Sequence, residues 1–309
     1  MYVRLLRLFS SLLSAILLLP AVGAVAFRHS PVTLHDLGPH AGRLTLRFTG
    51  ATGHVLGDGQ TVILLDPVST RPRIWELGLG PLHTDDALSA EVFPKADFIL
   101  VNHAHFDHVA DTPAIALRTG ATIVGSRSVM QLARSRGVPE AQLREVVGGE
   151  QLQLGSFVVE VVPARHAPVM GVAEPMHGEI PADAGALWFW EYLEDQTFSF
   201  SLYSGDSRVW FHPTSTLSPR ELAGRPANTL IMGVSGEPIT AAKWSWIAAD
   251  LPDLELVVPT HHDNFFQPRG LGLALFPGLD VGALRANAVE ALPAARTVFL
   301  DIDQEIRLP

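Results

Sequence analysis

Apolar residues in this chain fall into short continuous runs, separated by turn-rich stretches and by segments with helical spacing. Residues 44–48 and 62–65 read as strands around a Gly-rich, turn-like stretch from Gly50 to Gly59. Residues 98–101 form a wholly apolar run of the kind buried on both faces of a sheet. A helix is predicted at 113–119, a strand at 121–124, and a helix at 128–136 stopped by Gly137. Segments 152–154 and 157–162 predict a hairpin about Gly155-Ser156, and 187–192 with 197–203 a second one about Glu194-Asp195. Strands at 229–232 and 256–258, helices at 241–250 and 281–291, and edge strands at 297–300 and 305–308 complete the pattern. Strands alternating with helices predict an α/β layered fold with buried sheets. Trp244 and Trp246 stand two apart in the 241–250 helix, which a single buried face does not explain.

Composition narrows the function. With 309 residues, 47% hydrophobic and 17% charged, the chain can bury a sizeable core. Its formal charge is 22 − 32 = −10, so nucleic-acid binding through a basic surface is not expected. There is no cysteine, which removes disulfides, thiolate nucleophiles and Cys-type metal sites together. Arg4 and Arg7 precede an apolar run over 8–19, then Pro20 and the small–x–small triplet Ala24-Val25-Ala26. That is the order of a secretory signal, and the short run, interrupted by Ser10, Ser11 and Ser14, fits cleavage after Ala26 better than a retained anchor. The expectation is an exported chain, periplasmic or secreted, without stable membrane insertion. Its single domain would cover 27–309 at a charge of −10 − 2 = −12.

Directly after the 98–101 run comes Asn102-His103-Ala104-His105-Phe106-Asp107-His108. Imidazole nitrogen and carboxylate oxygen are natural ligands for zinc and other borderline divalent ions. In extended backbone His103 and His105 point to the same side and can share one metal. Asp107 and His108 follow where the chain turns and can serve a second. Other apolar runs end the same way: 157–162 is followed by His166, 197–203 by Gly205-Asp206, and 256–258 by His261-His262-Asp263-Asn264. A layered sheet gathers its strand ends on one edge, where ligand sites collect. Asp66, before Pro67, reads equally as a turn acid and as a partner that orients a metal-bound imidazole. Asp263 and Asn264 read as turn formers. His54 and His177 are weaker candidates for touching substrate, and His29, His35, His40, His83 and His212 are given no role.

Asp66-Pro67, the His103–His108 motif, His166, Gly205-Asp206 and Pro259-Thr260-His261 together resemble the metallo-β-lactamase superfamily, over about residues 42–309. Within it the chain is most similar to the branch holding the ascorbate-phosphate lactonases and the N-acyl-phosphatidylethanolamine phospholipase D group. The resemblance implies an αββα four-layer sandwich with a dinuclear site. It implies that His103, His105 and His166 hold a first metal, that Asp107, His108 and His261 hold a second, and that Asp206 bridges them. His261 is preferred to His262 because the family's ligand falls two residues after the proline, here Pro259. β-Lactamases of this fold commonly use Cys at the bridging position, so the lack of Cys argues against lactam hydrolysis.

Two divalent ions, zinc first with manganese or iron as alternatives, can share a hydroxide and lower its pKa towards neutrality. Such a hydroxide, steadied by Asp107 and Asp206, would attack an ester, a lactone or a phosphodiester in a small-molecule substrate. Apolar residues between 167 and 186 suit a lid, an acyl-binding wall or a simple packed loop. Two other readings stay open at this point: a mono-iron, dioxygenase-like oxidoreductase on the same fold, and a non-catalytic metal-binding protein.

Overall fold

The computed structural model describes residues 44–168 and 176–309. The expected signal segment, 1–26, lies outside the described residues, as do 169–175 of the apolar stretch expected beside the site. Among the described residues no helix is long and apolar enough to cross a membrane.

Two seven-stranded sheets form the centre. The first contains β1 (Thr45–Gly50), β2 (Gly53–Gly57), β3 (Val62–Leu65), β4 (Phe98–Leu100), β5 (Thr122–Gly125), β6 (Leu143–Glu145) and, from the C-terminus, β14 (Glu305–Arg307). Their spatial order is β14-β1-β2-β3-β4-β5-β6. The second contains β7 (Gln151–Leu154), β8 (Phe157–Ala164), β9 (Thr197–Ser204), β10 (Ser207–His212), β11 (Thr229–Gly233), β12 (Leu256–Thr260) and β13 (Arg296–Thr297). Its order is β13-β12-β11-β10-β9-β8-β7. Each sheet is antiparallel in one half and parallel in the other: β3 to β6 run parallel in the first, β10 to β13 in the second. Helices α1 (Asp86–Val92), α2 (Phe106–Val109), α3 (Thr112–Thr119) and α4 (Arg127–Ser135) cover the first sheet. Helices α5 (Pro219–Leu222), α6 (Ala241–Asp250) and α7 (Val281–Ala291) cover the second. The architecture is an αββα sandwich.

Residue parity shows how the layers pack. Successive strand side chains face opposite ways. Ile63 and Leu65 therefore enter the core between the sheets, while Leu64 joins the α-helical side. In the second sheet Val209, Phe211, Leu256 and Val258 face inward, and Trp210 and Val257 face α6 and α7. Burial on both faces is why these strands read as unbroken apolar runs. In α6, Trp244 and Ile247 are buried three residues apart, as a helix requires, whereas Trp246 is only partly covered.

The structure corrects several sequence expectations. The Gly-rich stretch contains a strand, β2, paired with both β1 and β3. Residues 187–192 form no strand: Phe189–Glu191 is a single 3-10 turn closed by the Glu191 carboxylate, which accepts from the Trp188 N–H at 2.8 Å. The partners of β9 are β8 and β10, so the hairpin turns at Gly205-Asp206 and not at Glu194-Asp195. Of the 297–300 expectation only Thr297 is in a strand, the two-residue β13 (Arg296–Thr297).

Candidate metal centre

The strands β3, β4, β8, β10, β11 and β12 all end on one edge of the sandwich, and the candidate ligands lie there. After β4 the chain bends at Asn102 and reaches His105, the N-cap of α2, whose backbone is extended at φ −68° and ψ 151°. Helical backbone begins at Phe106. His103 and His105 therefore project together, and the turn into α2 carries Asp107 and His108 away from them. His166 follows the end of β8, and His261 follows β12 in a left-handed conformation, φ +59°. That conformation is uncommon for a residue with a Cβ, and it is braced. The His261 N–H donates to the Ala51 carbonyl at 2.8 Å, and the Ala51 N–H donates to Asp263 Oδ1 at 2.8 Å. Asp263 is in turn held by Arg71 at 2.6 Å in a buried ion pair.

Six residues fall into two triads, His103, His105 and His166 in one, and Asp107, His108 and His261 in the other. Within each triad one ligand-type atom from every residue lies within 4.8 Å of the others. His103 Nε2 is 3.0 Å from His105 Nδ1, which is 3.2 Å from His166 Nε2. Asp107 Oδ2 lies 3.4 Å from His261 Nε2 and 3.7 Å from His108 Nε2. The rings of His103 and His108, 3.9 Å apart between centroids, bring the triads side by side.

Outer partners fix where the ring protons sit. His103 Nδ1 donates to the Asn102 side-chain oxygen, and His166 Nδ1 donates to the Ala167 carbonyl at 2.6 Å. Both Nε2 lone pairs are thereby aimed at His105 Nδ1. His108 Nδ1 donates to Asp66 Oδ2 at 2.7 Å, so its Nε2 faces Asp107. The inward lone pairs of His103 and His166 meet at His105 Nδ1, where either a proton or a cation relieves their repulsion. Tetrahedral zinc, with bonds of 2.0–2.1 Å, sets its ligand nitrogens about 3.3 Å apart. The observed 3.0 and 3.2 Å spacings match, so the donor set fits a divalent ion.

The local electrostatics favour neutral imidazoles at His103 and His166 and an ionised Asp107. Burial, and then the neighbouring imidazoles, push His103 well below its ordinary range, and burial above all lowers His166 to about 4. Burial raises Asp107, but His108 and His261 outweigh it and hold the carboxyl ionised. Burial lowers His108, and Asp107 and Asp66 more than reverse that.

The structure does not bring Asp206 to this edge. It is an exposed turn residue between β9 and β10, beside Gly205 at φ +59°, as a two-residue hairpin requires. The opposite end of β9 is the one at the site, where the Phe198 N–H donates to the Asn102 carbonyl. Eight residues at about 3.3 Å each separate Asp206 from that point by roughly 26 Å. The strand end that does reach the site belongs to β10 and reads His212-Pro213-Thr214, with no carboxylate. Thr214 Oγ1 is engaged with the Arg165 carbonyl and His212 Nε2. His212 is fully buried with Ser199 on its other nitrogen, and burial lowers it to about 3.

His262 also turns away from the triads. It is stacked on Phe48 at 5.0 Å, and its Nε2 donates to the Leu300 carbonyl at 3.0 Å. His54 is bonded to the Thr52 carbonyl within the core. Glu194, which sequence reasoning treated only as part of a turn, is buried with Oε2 3.9 Å from His105 Nε2. His177 forms a bridge with it.

An αββα sandwich with histidine and aspartate triads at the strand ends defines a metallo-β-lactamase-type protein. The chain belongs to the beta-lactamase superfamily domain family, which matches residues 61–261. A UPF0173 metal-dependent hydrolase of Pyrobaculum arsenaticum is 33% identical over 129 residues, 41% of this chain and 53% of that one. One from Anaeromyxobacter sp. (strain K) is 37% identical over 112 residues, 35% of this chain and 37% of that one. The chain thus spans about half, or less, of these relatives' length. One from Oenococcus oeni is 26% identical over 268 residues, 85% of this chain and 99% of that one. Among solved structures, a metallo-hydrolase from the archaeon Ignicoccus hospitalis shares the fold with a TM-score of 0.59 at 16% identity, covering 86% of this chain and 98% of its own. An isothiocyanate hydrolase from Delia radicum gut bacteria does so with a TM-score of 0.57 at 13% identity, covering 85% and 99%.

Proposed function

We propose that this protein is an exported metal-dependent hydrolase that holds two divalent ions, zinc foremost, and cleaves an ester, lactone or phosphodiester in a small molecule. The observation that carries the reading is the pair of adjoining triads, with the Nε2 lone pairs of His103 and His166 turned inward. The resemblance to UPF0173 metal-dependent hydrolases supports it. His103, His105 and His166 would hold one ion, and Asp107, His108 and His261 the other. The ions, when bound, supply Lewis acidity and water made acidic enough to attack at neutral pH.

The chain's own residues do the rest. Asn102, Asp66 and the Ala167 carbonyl keep protons on the outer nitrogens of His103, His108 and His166, leaving the inner ones free to donate electron pairs. Asp107 is the one carboxylate among the six and offsets dicationic charge. Phe265, centred 5.1 Å from the His261 ring, and Phe106 beside it cover the second triad with apolar surface that strengthens electrostatic interactions there. No side-chain nucleophile is needed, in keeping with a chain that lacks cysteine.

The test is elemental analysis of the purified protein, paired with hydrolysis of a panel of esters, lactones, thioesters and phosphodiesters. Two equivalents of divalent metal, with activity lost on chelation and restored by the ion, are expected. Full hydrolysis by the chelated, metal-free protein would refute the mechanism. Iron with visible colour and no hydrolysis would favour the oxidoreductase reading.

A further inference from the structure

The second triad has its own acids, with Asp107 inside it and Asp66 behind His108. The first triad is three imidazoles, and the β10 end that reaches this edge offers only His212-Pro213-Thr214. A dication held by neutral nitrogens alone, in a buried site, lacks compensating charge. If His105 joins His103 and His166 on an ion, it does so through Nδ1, which faces their Nε2 atoms, and its proton then sits on Nε2. Both requirements point to whatever lies beyond His105 Nε2.

Glu194 lies there. We propose, resting on the two-metal reading above, that Glu194 is a positioning residue for the first metal: its carboxylate, 3.9 Å from His105 Nε2, faces the outer nitrogen of that ring and supplies negative charge beside a triad made of imidazoles alone. The placement is built rather than incidental. Thr197 donates its hydroxyl to Oε1, which leaves Oε2 directed at the ring. The Glu194 N–H donates to the Met176 carbonyl at 3.0 Å, and the Glu194 carbonyl accepts from Gly178 at 2.8 Å. The next residue, Asp195, is tied to the first turn of α4 through the Ser126 hydroxyl at 2.5 Å and the Ser128 N–H at 3.3 Å. The carboxylate is thus anchored from the 176–178 segment, from α4 and from the start of β9.

Cobalt(II) titration of the chelated protein, followed by its visible absorption bands, reads both sites without activity. Glu194→Gln is expected to weaken one of the two cobalt constants by about 10- to 100-fold and to alter that site's bands, with the second constant unchanged. Glu194→Asp, which keeps the charge but shortens its reach, should fall between Gln and wild type. Thermal melts of the chelated variants check folding, and if the Gln variant does not fold, the Asp variant against wild type carries the same comparison. Unchanged constants and bands in every folded variant would overturn the role of Glu194 alone. A wild-type chain that binds no metal would overturn this inference and the two-metal reading together.

Discussion

Replacing Asp66 by Asn tests the second triad at its least solvated point. Asp66 is fully buried at the end of β3, with φ +43°, a left-handed conformation that Asn tolerates well. Its Oδ1 accepts from the Asn102 N–H at 2.6 Å and its Oδ2 from His108 Nδ1 at 2.7 Å. Burial pushes the Asp66 carboxyl up, while His108 and the Asn102 N–H pull against that. The amide has nearly the same shape but no charge, so a charge-assisted bond becomes a neutral one about half as strong. Loss of such outer partners typically costs 10- to 100-fold in metal affinity, or about 1.4–2.7 kcal/mol. On the two-ion proposal, an ion at Asp107, His108 and His261 should bind more weakly by that amount, and an ion at the three imidazoles should not. Competition against a chromophoric chelator resolves the two constants, and the melting temperature of the chelated variant reports its fold. Two constants within twofold of wild type in a folded Asp66→Asn protein would refute the argument that the carboxylate orients His108.

Three further outcomes are expected. Asp206→Ala, in an exposed turn at the far end of β9, should leave metal content unchanged and alter stability by less than about 0.5 kcal/mol in a denaturant titration. His54 and His212, both lowered to about 3 chiefly by burial, accept no proton in the folded state until far below the ordinary imidazole value of 6.5. The unfolded chain therefore binds more protons between those values; stability is full above pH 6.5 and falls as pH drops towards 3, by about 2 kcal/mol for each ring at pH 5. Denaturant melts of chelated wild type and His54→Gln at pH 7.5 and pH 5 measure this, and equal losses in the two proteins would exclude the His54 contribution. Gly233→Ala would set a Cβ 2.1 Å from the Pro213 carbonyl oxygen, so a loss of about 1–3 kcal/mol in a urea melt is expected.

Much of this centre was legible in the sequence because each ligand-bearing segment follows a strand whose apolar run ends abruptly. His103, His105, Asp107, His108, His166 and His261 all carry that mark; the alternation of strands and helices pointed to an α/β layered fold, and the αββα order came from the resemblance to the metallo-β-lactamase superfamily. Asp206 carried the same mark and misled, because Gly-Asp after an apolar run is also the chemistry of a tight hairpin. The distinguishing signal was the second apolar run, Val209-Trp210-Phe211, which continues the sheet beyond the turn. Glu194 was not legible, because it precedes its strand and reaches the site only through the pairing of β9 with β8. Asp66 was half legible, since a strand-end acid before proline fits a turn as well as a buried partner. The bracing of His261 by Ala51, Asp263 and Arg71 joins positions more than 190 apart and has no local pattern.

Each triad takes two members from the β4–α2 turn of the first sheet and one from a strand end of the second, His166 or His261. In a chain without cysteine, a pair of bound cations would act as removable rivets across the seam between the two halves of the sandwich. Ion supply would then set resistance to proteases as well as reactivity, with an ion-starved molecule parting first along that seam.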